Sequence, residues 1–168
     1  MRAELFSSDF LISFFIFLSA FIIITAYYQN LQTDVYEAKM RNDMYSKAID
    51  IAILLATTSG QPQYWNSTNV QLIGLYDSGK FNLTKFEELK KINIQTAKTM
   101  LGTGVYNFNI TLINTTGNII ENHSTPPILY SYGTPTDNAE QIVLVKRLGV
   151  VDLEGNTTKV TLEVILWF

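Results

Sequence analysis

The chain has 168 residues, a net charge of −3 and no cysteine, which excludes disulfides, iron–sulfur clusters and thiol catalysis. Its 12 basic residues are scattered, so it carries no electrostatic footprint for nucleic acid. The length suits a membrane helix plus one domain.

No charged residue stands between Asp9 and Asp34, and Phe10–Tyr28 is almost entirely apolar. At about 1.5 Å per helical residue, that run matches the roughly 20 residues needed to cross a bilayer core. It contains no Gly or Pro, so no backbone group is freed where lipid offers no partner. A removable secretory signal has an apolar core of about 7–15 residues and a small-x-small cleavage site. Here the run is longer and ends in Thr25, Ala26, Tyr27 and Tyr28, the paired tyrosines placed as an interfacial anchor. The helix is therefore expected to stay on the protein.

Ser7 or Ser8 can cap the start of that helix, with Asp9 in the first turn where the dipole favours a negative charge. Asp9 also stands at the edge of the apolar run. Buried among packed apolar helices it would need a charged partner, such as a free α-amino group on an adjacent copy. Helical periodicity continues past the apolar run through Leu31, Val35, Ala38, Tyr45, Ala48, Ala52 and Leu55, and the first stop signal is Gly60 before Pro62. One helix from about Ser8 to Thr58, roughly 75 Å long, is expected. Its first half is apolar all round, and its second half needs a partner surface on one side.

The remaining chain reads as that partner. Val70–Tyr76 is a predicted short strand, followed by a turn at Asp77, Ser78 and Gly79. Thr84 and Glu87 form a predicted capping box opening a short helix, with Phe86, Leu89 and Ala97 on one side and an exit at Leu101–Gly104. Val105–Asn114 alternates, with Tyr106, Phe108, Ile110 and Leu112 on one face. A turn leads to Ile119 and Ile120, then a loop from about Asn122 to Asn138 holds Pro126, Pro127 and Pro135. Gln141–Val151 and Thr158–Phe168 form the strongest hairpin signal, with Val160, Leu162, Val164, Leu166 and Phe168 on one face. The expected fold is α+β, a long N-terminal helix packed on a C-terminal antiparallel sheet. Its divisions are a leader and helix entry at 1–9, a membrane or filament-core helix at 10–33, an amphipathic continuation at 34–60, and an extracellular β-rich head at 61–168.

No catalytic constellation is legible. His123 is the single histidine and sits in a loop, and nucleophile-elbow, phosphate-cradle and His-Glu-x-x-His patterns are missing. No cofactor and no metal site are expected. Tyr64 and Trp65 read as rings covering the open end of the core where the helix stops.

The Asn-x-Ser/Thr acceptor pattern occurs at Asn66, Asn82, Asn109, Asn114, Asn122 and Asn156. Chance pairing of 13 Asn with 28 Ser and Thr gives about two, so the excess points to a glycosylated surface. All the acceptors follow the apolar helix, and flanking charge barely votes on orientation. The sequons place the C-terminal domain outside.

The N-terminus, Met1-Arg2-Ala3 followed by Glu4 to Leu11 and the apolar run, resembles archaeal type IV pilin-like proteins with a class III signal peptide. The likeness covers nearly the whole plan, though only the first dozen residues are motif-like. It implies a prepilin-type peptidase cutting at Arg2, Ala3 and Glu4, before the apolar stretch. The helix then remains on the subunit, first in lipid and then among other copies or related subunits in a filament core. Two departures stand out: Arg2-Ala3 replaces the usual base-Gly pair, and cutting after Ala3 makes Asp9 the sixth mature residue where a Glu usually holds the fifth. The function implied is a non-enzymatic surface subunit for adhesion or attachment. The alternative is a single-pass anchor displaying a monomeric receptor or envelope domain.

Overall fold

The computed structural model describes residues 2–121, 129–136, 139–153 and 155–168, with side chains from Ser8 onward. Helix α1 runs unbroken from Arg2 to Thr57, as expected of a segment with no Gly or Pro before Gly60. The chain divides into two compact units, residues 1–40 and 41–168.

In the first unit α1 exposes its apolar run on every side. Phe10 is 65 % and Ile23 69 % exposed. Two polar side chains inside the run bond back to the helix: Ser19 Oγ donates to Phe15 O at 2.8 Å, and Thr25 Oγ1 donates to Phe21 O at 2.9 Å. Such back-bonding suits a solvent that offers no hydrogen bonds. Leu31 and Val35, expected on a covered face, belong to this unit and are exposed.

The second unit holds the core. Its helical part, residues 41–57, buries Met44, Ala48, Ile51, Ala52 and Leu55, at the three- and four-residue spacings of one helix face. A six-stranded sheet supplies the other side: β1 Tyr76–Asp77, β2 Lys80–Phe81, β3 Asn107–Asn114, β4 Ser131–Gly133, β5 Ile142–Leu153 and β6 Asn156–Trp167, in the order β1-β2-β5-β6-β3-β4. Phe108, Ile110, Leu112, Val160, Leu162, Val164 and Leu166 are all at most 2 % exposed, so the alternation read from sequence faces the core. The architecture is α+β, with a long N-terminal helix packed on the sheet.

The sheet is mixed, which corrects the antiparallel expectation. β2 runs parallel to β5 through the pair Phe81↔Val151, whereas β5–β6, β6–β3 and β3–β4 are antiparallel. What seats β2 there is side-chain chemistry: Lys80 Nζ bonds both carboxylate oxygens of Asp152, and the Phe81 ring lies over Gly149, where a Cβ would come within 2.3 Å of it. Only this short contact covers the outer edge of β5 among the described residues. Lys146 and the inward-facing Arg147 sit at the middle of that edge, charges that discourage pairing with stray strands.

Two other local readings change. Residues 70–75 form no strand, apart from an isolated bridge between Gln61 and Leu72. Leu75 N instead donates to Leu55 O at 3.1 Å and Tyr76 N to Thr58 O at 3.0 Å, satisfying carbonyls that the end of α1 leaves without helical partners. The expected single short helix is two, α2 Leu83–Lys91 and α3 Ile94–Leu101. The cap of α2 is Asn82, whose side chain accepts from Lys85 N, in place of the Thr84 and Glu87 box.

Candidate functional site

Arg2, Ala3 and Glu4, the candidate processing residues, lie in the first turn of α1, with side chains outside the described residues. Asp9 is helical and exposed, one position before the apolar run. On the apolar surface that follows, Phe10 stacks on Phe14 at 6.3 Å and Phe17 on Phe21 at 6.2 Å, each pair one helical turn apart. The helix that carries this surface is long and apolar enough to cross a membrane.

The acceptor asparagines occupy different environments, except Asn122, which lies outside the described residues, as does His123. Asn66 is exposed in a turn whose position is fixed from both sides: Trp65 is buried, and Ser67 N and Oγ both donate to Glu88 Oε2 at 2.9 Å. Asn66 Oδ1 accepts from Thr68 N at 2.9 Å and Thr68 Oγ1 at 2.7 Å. Asn114 repeats the pattern at the end of β3, accepting from Thr116 N at 2.9 Å, Thr116 Oγ1 at 2.6 Å and Asn118 N at 3.0 Å. Asn82 is half-buried and spent as a helix cap. Asn109 lies mid-sheet between β6 and β4, its Nδ2 donating to Thr134 O at 3.3 Å and its Oδ1 accepting from Thr111 Oγ1 at 2.7 Å. It is on the polar side as the alternation required, yet it is half-buried there, tied to Thr134 just after β4. Asn156 is exposed at the first position of β6.

Sequence reasoning missed part of what closes the end of α1. Lys85 is 5 % exposed and donates from Nζ to Ser59 O at 2.7 Å, with burial pushing its pKa down. Trp65 Nε1 donates to Ser59 O and Gly74 O, both at 3.0 Å. A lysine in a charged stretch gives no sequence signal of burial; of the two rings read as a core cover, Trp65 is one, whereas Tyr64 is 79 % exposed. A cleft of about 410 Å³ between Asp77, Lys80, Asn82, Thr84 and Asp152 gathers polar groups, but Lys80 already pairs with Asp152. Among the described residues no three His, Asp or Glu side chains converge as metal ligands would.

The Glu88 contact has a measurable pH signature. Hydrogen bonds from Lys91 and from Ser67 hold its carboxyl down to about 2, from an ordinary value of 4.5. A depressed carboxylate contributes stability that is full above its unfolded value and is lost as pH falls through its folded one. Thermal unfolding of the detergent-solubilised chain is thus expected to weaken between about pH 4.5 and 2. Glu88→Gln should flatten that slope, leaving the smaller share from Asp152, which Lys80 and Thr157 lower in the same direction. An unchanged slope would show that the turn does not depend on the Glu88 charge.

No family model matches the chain, and neither does any curated protein or solved structure.

Proposed function

We propose that this chain is a non-enzymatic, membrane-derived surface subunit, a pilin-like component of an archaeal type IV filament used in adhesion or surface attachment. The observation that carries the reading is the apolar run of α1, exposed on all sides while residues 41–57 of the same helix help close a separate core. Such a surface is stable only where water is absent, in lipid or among copies of itself. A filament satisfies it twice, first in the membrane and then in a shared core of packed helices. The six sequons beyond the helix support an outward head, and the leader-like Arg2-Ala3-Glu4 supports processing by a prepilin-type peptidase. Cleavage there frees an amine near the helix start, and Asp9 of a neighbouring copy is its partner. That pair supplies registry as subunits stack.

The test is assembly. Sheared surface appendages from cells carrying the native protein should contain it, with a mass lacking the first three residues. Asp9→Ala should still insert in the membrane and fold its head, but filament yield should fall about a hundredfold, the effect of leaving one buried charge unpaired at about 3 kcal/mol. Normal filament yield from Asp9→Ala would refute the registry role. A native protein found only in membranes, as a detergent-extracted monomer, would favour the single-pass anchor.

A further inference from the structure

We infer that Asn66 and Asn114 are glycan acceptors of the head, and that Asn82 and Asn109, despite identical sequon grammar, are not. The inference rests on the outward head proposed above. N-glycosylation joins the side-chain Nδ2 to the anomeric carbon of a lipid-linked sugar phosphate. The new N–C bond replaces the sugar's C–O bond to phosphate, the phosphate leaves with that electron pair, and one Nδ2 proton passes to a base of the transferase. The acceptor must therefore present Nδ2 to a large enzyme and be able to release a proton from it.

Asn66, which is exposed, and Asn114, which is half-buried at the strand end, carry the same clamp at two unrelated places in the fold. In each, the sequon hydroxyl and the amide of the same residue donate to Oδ1, and a further amide, Asn69 N or Asn118 N, adds a third bond. Three donors on the carbonyl oxygen fix the plane of the carboxamide and draw electron density from its nitrogen, which acidifies Nδ2–H. Neither Nδ2 donates to any described residue, and Thr68 and Thr116 are exposed. Asn109 shares the bond from the sequon hydroxyl, Thr111 Oγ1 to Oδ1 at 2.7 Å, but lacks the amide donors, its Nδ2 is used on Thr134 O, and Thr111 is 7 % exposed. Asn82 Oδ1 accepts from Lys85 N at the start of α2, so rotating the carboxamide outward uncaps the helix. Asn156 is exposed without either the clamp or the obstruction, and the inference does not depend on it.

The experiment is site-resolved mass spectrometry of peptides from the native protein purified from its own cells, with fragmentation that locates the sugar. Hexose- or hexosamine-type mass increments are expected on the peptides carrying Asn66 and Asn114, and unmodified masses on those carrying Asn82 and Asn109. Sugar on Asn82 or Asn109, or a bare Asn66 or Asn114, would overturn the inference. Protease treatment of intact cells separates this failure from failure of the outward reading. A head digested from outside with bare acceptors overturns the glycan inference alone, whereas a head protected until the membrane is opened overturns both.

Discussion

Removal of residues 1–40 is expected to leave a soluble, folded protein, and removal of residues 1–60 is expected to abolish the fold. The first cut takes the exposed apolar run and stops at the boundary between the two compact units. The second also takes Met44, Ile51 and Leu55, each at most 2 % exposed, with the small buried residues Ala48 and Ala52 between them. Burying three such large side chains is worth about 5–9 kcal/mol, against a net stability of about 5–15 kcal/mol for a domain. The core of the sheet, which includes Leu162 and Val164 at 0 % exposure, would lose part of its cover at the same time. Circular dichroism, cooperative thermal unfolding and light scattering would separate the two proteins directly. Equal solubility and equal melting temperatures would mean that α1 is not the packing partner of the sheet.

Much of this organisation was legible because it rests on periodicity. The apolar run, the helix continuing past it, the alternation of Tyr106 to Leu112 and the face of Val160 to Leu166 each follow from one repeat length and one solvent preference. What escaped was set by contacts between distant parts of the chain. Residues 70–75 have strand-like composition, yet the amides of Leu75 and Tyr76 are taken by the open carbonyls of Leu55 and Thr58. Thr84 and Glu87 match a capping box, but Asn82 reached the helix start first. The parallel placement of β2 depends on Lys80 meeting Asp152 and on Gly149 leaving room for Phe81, and no local pattern encodes either. Sequons are a special case. Three residues are enough for the motif to exist, but whether its nitrogen is presented depends on β4 at Asn109 and on the turn at Asn66. The sequence could count sequons and could not say how each one is placed.

Replacing Trp65 should cost more stability than replacing any other aromatic residue outside the sheet, because it closes the end of α1 in two ways. Its ring is 3 % exposed, and a Cβ at Gly60 would come within 2.4 Å of its Nε1, so the chain passes against it without spare room. Its Nε1–H also bridges Ser59 O and Gly74 O, tying the helix exit to the segment that leads into β1. Gly74 itself has no room for a side chain, since a Cβ would fall 2.4 Å from Gly60 N and from Thr58 O. Trp65→Ala is therefore expected to destabilise by about 3–5 kcal/mol, the range for emptying a large buried aromatic site. Trp65→Phe keeps most of the packing and leaves Gly74 O without its indole donor, a cost of about 1–3 kcal/mol. Ser59 O retains Lys85 Nζ in that variant, so the graded loss should come from the Gly74 side. In thermal unfolding the Ala variant should melt about 10–20 °C lower than the wild type, with Phe between them. If Phe and Ala melted together, the indole hydrogen bonds would carry the closure and the ring packing would not. If Phe matched the wild type, the bridge to Gly74 would be dispensable and ring packing would be the whole of what Trp65 contributes.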